Sequence, residues 1–258
     1  MTYFYNLCSS SKGNCTYIGD DDNGILFDAG IGIRCFAKSL AAASINPKSI
    51  RAVFITHEHY DHIKGLDAII KKYGIPVFTS KGTAENLSLS YDTNLHIIDS
   101  PVSISGFEVT PFRTSHDVKE SLGFTVKTPS GKKIGICTDL GYVSDEVFSS
   151  LSGSDFIMLE SNYDESMLSF GDYPEFLKRR IASKYGHLSN NQCAETIKKL
   201  IEGNVRRFVL AHLSENNNRP ETALAHSKNY LADNNLICGR DYFLEVLKTV
   251  NDGKVIEI

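Results

Sequence analysis

The 258-residue chain is 41% hydrophobic and 22% charged with a formal net charge of −4, proportions that suit a globular protein folding residues 1–258 as a single domain. No apolar run approaches the length of a membrane span, the start Met1-Thr2-Tyr3-Phe4-Tyr5 lacks the pattern of a signal peptide, and six scattered cysteines read as reduced, so the expected compartment is the cytoplasm. The mildly acidic balance excludes polyanion binding by bulk charge; a nucleic acid would need a local basic patch.

In chain order, strands are predicted over residues 3–8 and 16–18, flanking the polar segment Ser9-Ser10-Ser11-Lys12-Gly13-Asn14. The turn Asp20-Asp21-Asp22-Asn23-Gly24 leads into a strand over 25–27; its carboxylates lack the spacing of a calcium loop and read as solvated. A helix over 34–43 follows Asp28-Ala29-Gly30. Ala52-Val53-Phe54-Ile55 has the pattern of a buried strand. Beyond a polar turn, Ile63, Leu66, Ile69, Ile70 and Tyr73 recur at helical spacing until Gly74 and Pro76 end the helix. Residues 77–127 read as short strands with one brief helix near 83–87. A strand over 132–137, a helix over 144–151 and a strand over 156–159 come next. The second half carries helices over 174–184, 189–202 and 221–231, a strand over 205–210 and another near 242–246. Ser189 and Gln192 form a capping box, Cys193, Ala194, Ile197, Leu200 and Ile201 make one apolar face, and Gly203 ends that helix. This order suggests two packed sheets with helices outside.

The polar turn after residue 55 is Thr56-His57-Glu58-His59-Tyr60-Asp61-His62, in which four potential metal ligands run as His-x-His-x-Asp-His. A turn between a buried strand and a helix aims neighbouring side chains at one point. Imidazole and carboxylate without thiolate suit zinc and also admit manganese or iron. Four apolar strands lead to an acid or a histidine: to His57, Asp139, Glu160 and His212. Sites in layered α/β proteins collect at such strand ends. His116 joins the set from the loop after residues 107–112, whereas His96 and His226 have no supporting context and read as structural.

His57-x-His59-x-Asp61-His62 followed by His116, Asp139 and His212 resembles the metallo-β-lactamase superfamily from end to end. The resemblance implies a four-layer αββα metallo-β-lactamase fold of the α/β class. It implies one metal on His57, His59 and His116, a second on Asp61, His62 and His212, and Asp139 as the bridge. A bridging aspartate is similar to the hydrolase and phosphodiesterase branches, not to the lactamases proper. Ser10-Ser11-Lys12-Gly13-Asn14, Ser115-His116-Asp117, Thr138-Asp139-Leu140-Gly141-Tyr142, Glu160-Ser161-Asn162, Tyr173-Pro174, Lys178-Arg179-Arg180-Ile181, Gly186-His187-Leu188-Ser189-Asn190 and Leu210-Ala211-His212-Leu213-Ser214 narrow it to the bacterial YycJ/WalJ family. Members of that family are described as metal-dependent 5′→3′ exonucleases on double-stranded DNA. Tyr163 and Leu140 depart from the histidine and threonine usual there, which bears on specificity more than on chemistry.

The transfer-RNA 3′-processing nucleases offer a second resemblance, in which His187 donates a proton or contacts phosphate with Glu160 as its partner; the plain alternative is a helix-entry residue. The helix start at Ser189-Asn190 would add backbone donors for phosphate. Two divalent ions about 3.5–4 Å apart could share a water and lower its pKa to around 7, with Asp61 as ligand and candidate base. Ser10, Lys12, Gly13 and Asn14 read equally as a phosphate contact or a hairpin corner. Lys178-Arg179-Arg180, Lys198-Lys199 and Arg206-Arg207 are solvated faces unless several rim the metal cleft as a phosphate track. DNA is the expected substrate. A small cyclic nucleotide, in a closed pocket completed by a second subunit of a homodimer, is the alternative, and thioester or lactam hydrolysis a weaker third.

Overall fold

The computed structural model describes residues 1–20, 22–90, 94–249 and 253–258; Asp21 of the expected turn, and Tyr91, Asp92 and Thr93 of the expected 77–127 strand region, lie outside them. The strands are β1 (Tyr3–Ser10), β2 (Gly13–Gly19), β3 (Gly24–Phe27), β4 (Ile50–Phe54), β5 (Val77–Thr79), β6 (Leu95–Ile97), β7 (Val102–Ile104), β8 (Phe107–Arg113), β9 (Leu122–Lys127), β10 (Lys133–Cys137), β11 (Phe156–Glu160), β12 (Arg207–Ala211), β13 (Phe243–Val246) and β14 (Ile256–Glu257). The helices are α1 (Ile33–Ala42), α2 (Tyr60–Ile63), α3 (Leu66–Tyr73), α4 (Lys81–Ala84), α5 (Asp145–Leu151), α6 (Glu165–Phe170), α7 (Glu175–Ile181), α8 (Asn190–Glu202) and α9 (Pro220–Asp233). Two sheets form, in the orders β14-β1-β2-β3-β4-β5-β6 and β13-β12-β11-β10-β9-β8-β7.

Side chains alternate across a strand, and here both faces are apolar. Ile25, Phe27, Ala52 and Phe54 turn inward to meet Phe124, Ile134, Ile136, Phe156 and Met158 of the other sheet. Their neighbours turn outward: Leu26 and Val53 lie under Phe36 and Leu40 of α1 and Ile69 of α3. Ile157, Leu159 and Leu210 lie under Leu151 of α5, Ile197 of α8 and Leu231 of α9. The result is the expected αββα stack, with one core between the sheets and one beneath each helical layer. Phe54 is fully buried in the central core, its ring centroid 5.5 Å from Phe27, 5.1 Å from Phe78 and 5.7 Å from Phe124. Phe54→Ala is expected to cost about 3–5 kcal/mol by urea unfolding; a loss under about 1 kcal/mol would mean that the layers are not locked there.

The strands β3-β4-β5-β6 run parallel, as do β10-β11-β12-β13. Parallel strands bring their carboxyl ends to one edge, where a site can be assembled from several of them. At that edge Asp28, Asp139 and His212 have φ of 59°, 58° and 53°. A non-glycine residue in the left-handed region costs roughly 1–3 kcal/mol and persists where its surroundings demand it.

Two expected helices are shorter than their periodicity suggested. The 63–73 helix is interrupted at Gly65, whose amide bonds to Ala29 and where an added Cβ would lie 1.8 Å from the Ile31 carbonyl. The 174–184 helix stops at Ile181, since the His187 amide turns back onto the Ile181 carbonyl. Helix α6, capped by Asp164 accepting from the Met167 amide, is too short to show a period in sequence. Among the described residues no helix is long and apolar enough to cross a membrane.

Candidate metal centre

The turn after β4 is fixed from beneath by Asp28. Its carboxylate accepts from the Thr56 amide at 2.8 Å, the Thr56 hydroxyl at 3.0 Å and His62 Nδ1 at 2.8 Å. The Thr56 oxygen, having given its proton to Asp28, accepts from His57 Nδ1 at 3.0 Å. From the opposite side β1–β2 presses Gly30 against the turn so closely that a Cβ there would lie 1.6 Å from the Asp61 carbonyl. These contacts aim the Nε2 atoms of His57 and His62 away from their supports and toward the cleft.

All seven ligands expected from the sequence converge. His57, His59 and His116 form one group, Asp61, His62 and His212 another, and Asp139 joins His57 and His62 in a third. In the first group His59 Nδ1 lies 3.0 Å from His57 Nε2 and 3.2 Å from His116 Nε2. His116 donates its other nitrogen, Nδ1, to the Gly186 carbonyl at 3.1 Å. With the Nδ1 protons of His57 and His116 spent outward, their Nε2 lone pairs face each other across the His59 ring. Burial and the adjacent rings of His62, His116 and His59 hold the His57 pKa well below its ordinary value, so a proton is a poor answer to that convergence and a divalent cation a good one.

Asp139 spans the two groups: one oxygen lies 3.7 Å from His116 Nε2 and the other 3.3 Å from His62 Nε2. Burial opposes the His62 charge, but the carboxylates of Asp28 and Asp139 outweigh it and push its pKa up to about 10. Asp61 is held well below the carboxylate range, since the His212 and His62 rings, 3.7 and 3.4 Å from its Oδ2, overcome its burial. Asp139 Oδ2 and His212 Nε2 are buried with no hydrogen-bond partner among the described residues. Two orphaned buried atoms of ligand type, aimed into a cluster of acids and imidazoles, fit a divalent metal.

Glu160 organises the other wall. Fully buried, it receives His212 Nδ1 at 2.7 Å and His187 Nδ1 at 2.9 Å on one oxygen. Its second oxygen receives the Leu140 and Leu188 amides at 3.2 and 3.0 Å. Both rings thereby present Nε2 to the cleft. His187 thus lines the same cleft as His59, Asp61, His116, Asp139 and His212.

The expected substrate contacts fare unevenly. Ser189 and Asn190 are fully buried. The Ser189 hydroxyl binds the Gln192 amide and Glu165, and the Asn190 side chain pairs with Ser161 and Asn218. The backbone there is also occupied: the Ser189 amide donates to Gln192 Oε1 and the Asn190 amide to the Tyr163 carbonyl. With the Ser189 and Asn190 amides spent on Gln192 and Tyr163, neither residue is free to donate to phosphate, which corrects that reading. Ser10 and Gly13 are buried in the β1–β2 hairpin, and Asn14 points inward, donating to Asp61 at 3.1 Å. Lys12 is exposed and pairs with Glu215.

Asp28 was not singled out in the sequence, because an aspartate before Ala-Gly at a strand end reads as turn punctuation. Asp28→Asn keeps a residue that tolerates the left-handed backbone but removes the charge behind His62 and Thr56. It is expected to weaken metal binding by roughly 10–100-fold in competition with a chromogenic chelator; unchanged affinity would contradict this role. The cleft, about 230 Å³, is also lined by Tyr173, Leu177, Arg180 and Ile181.

A family model described as beta-lactamase superfamily domain matches residues 23–213. The chain is 35% identical over 227 residues to the exodeoxyribonuclease YycJ of Bacillus anthracis, covering 86% of each chain. It is 31% identical over 244 residues to the exodeoxyribonuclease WalJ of Streptococcus pneumoniae, covering 92% of this chain and 90% of the other. Among solved structures, the metallo-beta-lactamase fold protein YhfI from Bacillus subtilis superposes with a TM-score of 0.74 at 17% identity, over 99% of this chain and 98% of its own. The short form of human tRNase Z gives 0.67 at 18% identity over 99% of each.

Proposed function

The chain belongs to the metallo-β-lactamase superfamily and, within it, to the YycJ/WalJ-type family, and from that premise we propose that it is a metal-dependent phosphodiester hydrolase digesting double-stranded DNA from 5′ ends. The observation that carries the proposal is the single Glu160 oxygen shared by His212 and His187. It ties the imidazole of His212 to that of His187, as transfer of a proton to a departing alkoxide requires; thioester or lactam hydrolysis has no need of His187.

We assign His57, His59 and His116 to one divalent ion, Asp61, His62 and His212 to a second, and Asp139 to both; zinc or manganese suits the donors, and iron is compatible with them. When bound, the ions supply Lewis-acid charge to the phosphate and acidity to a water. Asp61, with one oxygen held by Asn14, orients the attacking water and accepts its proton. His187, with Nδ1 on Glu160, gives an Nε2 proton to the leaving 3′ oxygen as the P–O bond breaks. Glu160 keeps that ring from turning and stabilises the imidazolium.

The test is digestion of linear duplex labelled at either the 5′ or the 3′ end, with manganese or zinc supplied, beside cyclic mononucleotides and a thioester. Metal-dependent early release of the 5′ label is the expected result. Opening of the cyclic nucleotide, or cleavage of the thioester, with the duplex intact would overturn the assignment.

A further inference from the structure

Helix α7 walls the metal cleft with Leu177 and Ile181, one turn apart on one stripe. The adjacent stripe, also one turn apart, carries Phe176 and Arg180. Phe176 is 73% exposed, on the same helix that lines the cleft and next in sequence to Leu177. Arg180 lines the cleft and pairs through Nε with Asp117, the residue after His116. The other Asp117 oxygen lies 3.5 Å from His116 Nε2 and 3.8 Å from His59 Nε2. An arginine held by Nε presents its two terminal nitrogens as an oriented fork, the geometry that suits phosphate. An exposed ring one turn away offers a face on which any base can stack. An exposed ion pair is worth only about 0–1 kcal/mol to the fold, and an exposed phenylalanine stabilises nothing that the structure shows.

Resting on the phosphodiesterase reading above, we infer that the Phe176–Arg180 ridge of α7 is the seat of a nucleotide flanking the scissile bond, Arg180 taking its phosphate and Phe176 its base. The ridge makes the enzyme prefer polynucleotides to isolated phosphodiesters, and it supplies locally the positive charge that a chain of net charge −4 lacks overall. Asp117 is the positioning residue that aims the fork.

The two halves of the seat have different signatures. The readouts are kcat/KM on an oligonucleotide at several salt concentrations and on bis(p-nitrophenyl) phosphate, with metal-loaded enzyme. Arg180→Ala is expected to lower the oligonucleotide value at least about tenfold more than the small-diester value, and to flatten the salt slope by about 0.7–0.9, one phosphate contact. Arg180→Lys should recover the slope but not the full rate. Phe176→Ala should lower the oligonucleotide value at least about fivefold and leave the slope unchanged. All three variants should melt with the wild type. Equal losses on the two substrates, or no loss on the oligonucleotide, would overturn the inference. A wild-type enzyme that cleaves the diester but no polynucleotide would overturn the substrate reading, and the seat with it.

Discussion

His187→Gln is expected to lower kcat on duplex DNA by about 10²–10⁴-fold, the span of a lost general acid, while metal content stays that of the wild type. The separation follows from geometry. His187 Nδ1 sits on Glu160, and its ring lies beside those of His116 and His212 at centroid distances of 5.0 and 5.3 Å. It is absent from the three-residue groups that hold His57, His62 and Asp61, and joins the cluster only through Asp139, Glu160 and His212, which form a fourth convergent group with it. Glutamine can still bond to Glu160 but cannot protonate a leaving oxygen. The deficit should shrink on a p-nitrophenyl diester, whose leaving group departs without a proton. Equal losses on both substrates, or loss of metal, would show that His187 acts through the cluster.

Asp139→Ala is expected to do the opposite, abolishing metal binding and activity together, with turnover down roughly 10³-fold or more. Asp139 lies close to His62, His116 and His212 at 3.3, 3.7 and 3.5 Å. Against burial, its charge holds the His212 pKa above the ordinary range and, after that of Asp28, does the same for His62. Removal leaves a nest of imidazoles that a dication would enter against less negative charge. Asp139→Asn, which keeps the shape and suits the left-handed backbone, separates this from misfolding: it should melt as a folded chain and still bind metal poorly. Activity within tenfold of wild type in either variant would contradict the bridging role.

The layered fold was legible because its strands are apolar runs cut by glycine and polar turns, and because His57, His59, Asp61 and His62 are dense enough to identify themselves. Long-range partners were harder to see. Nothing local in Asp28-Ala29-Gly30 says that its carboxylate will meet Thr56 and His62 across a parallel strand pair; that contact exists only once β3 and β4 are side by side. The capping box at Ser189 and Gln192 is legible, yet Ser189 and Asn190 also read as phosphate donors, because sequence shows which groups can bond and not which are already spent. Arg180 could not be told from its neighbours Lys178 and Arg179 until α7 was placed: Lys178 turns back to the Ser169 carbonyl, whereas Arg180 reaches the cleft.

The most direct test of a metal-dependent phosphodiesterase is to strip the protein with chelator and titrate manganese back while following both bound metal and digestion of 5′-labelled duplex. Digestion should be absent from the stripped protein and should plateau as about two equivalents bind. Undiminished digestion by protein shown to be free of metal, or full loading with no phosphodiester cleaved, would contradict it.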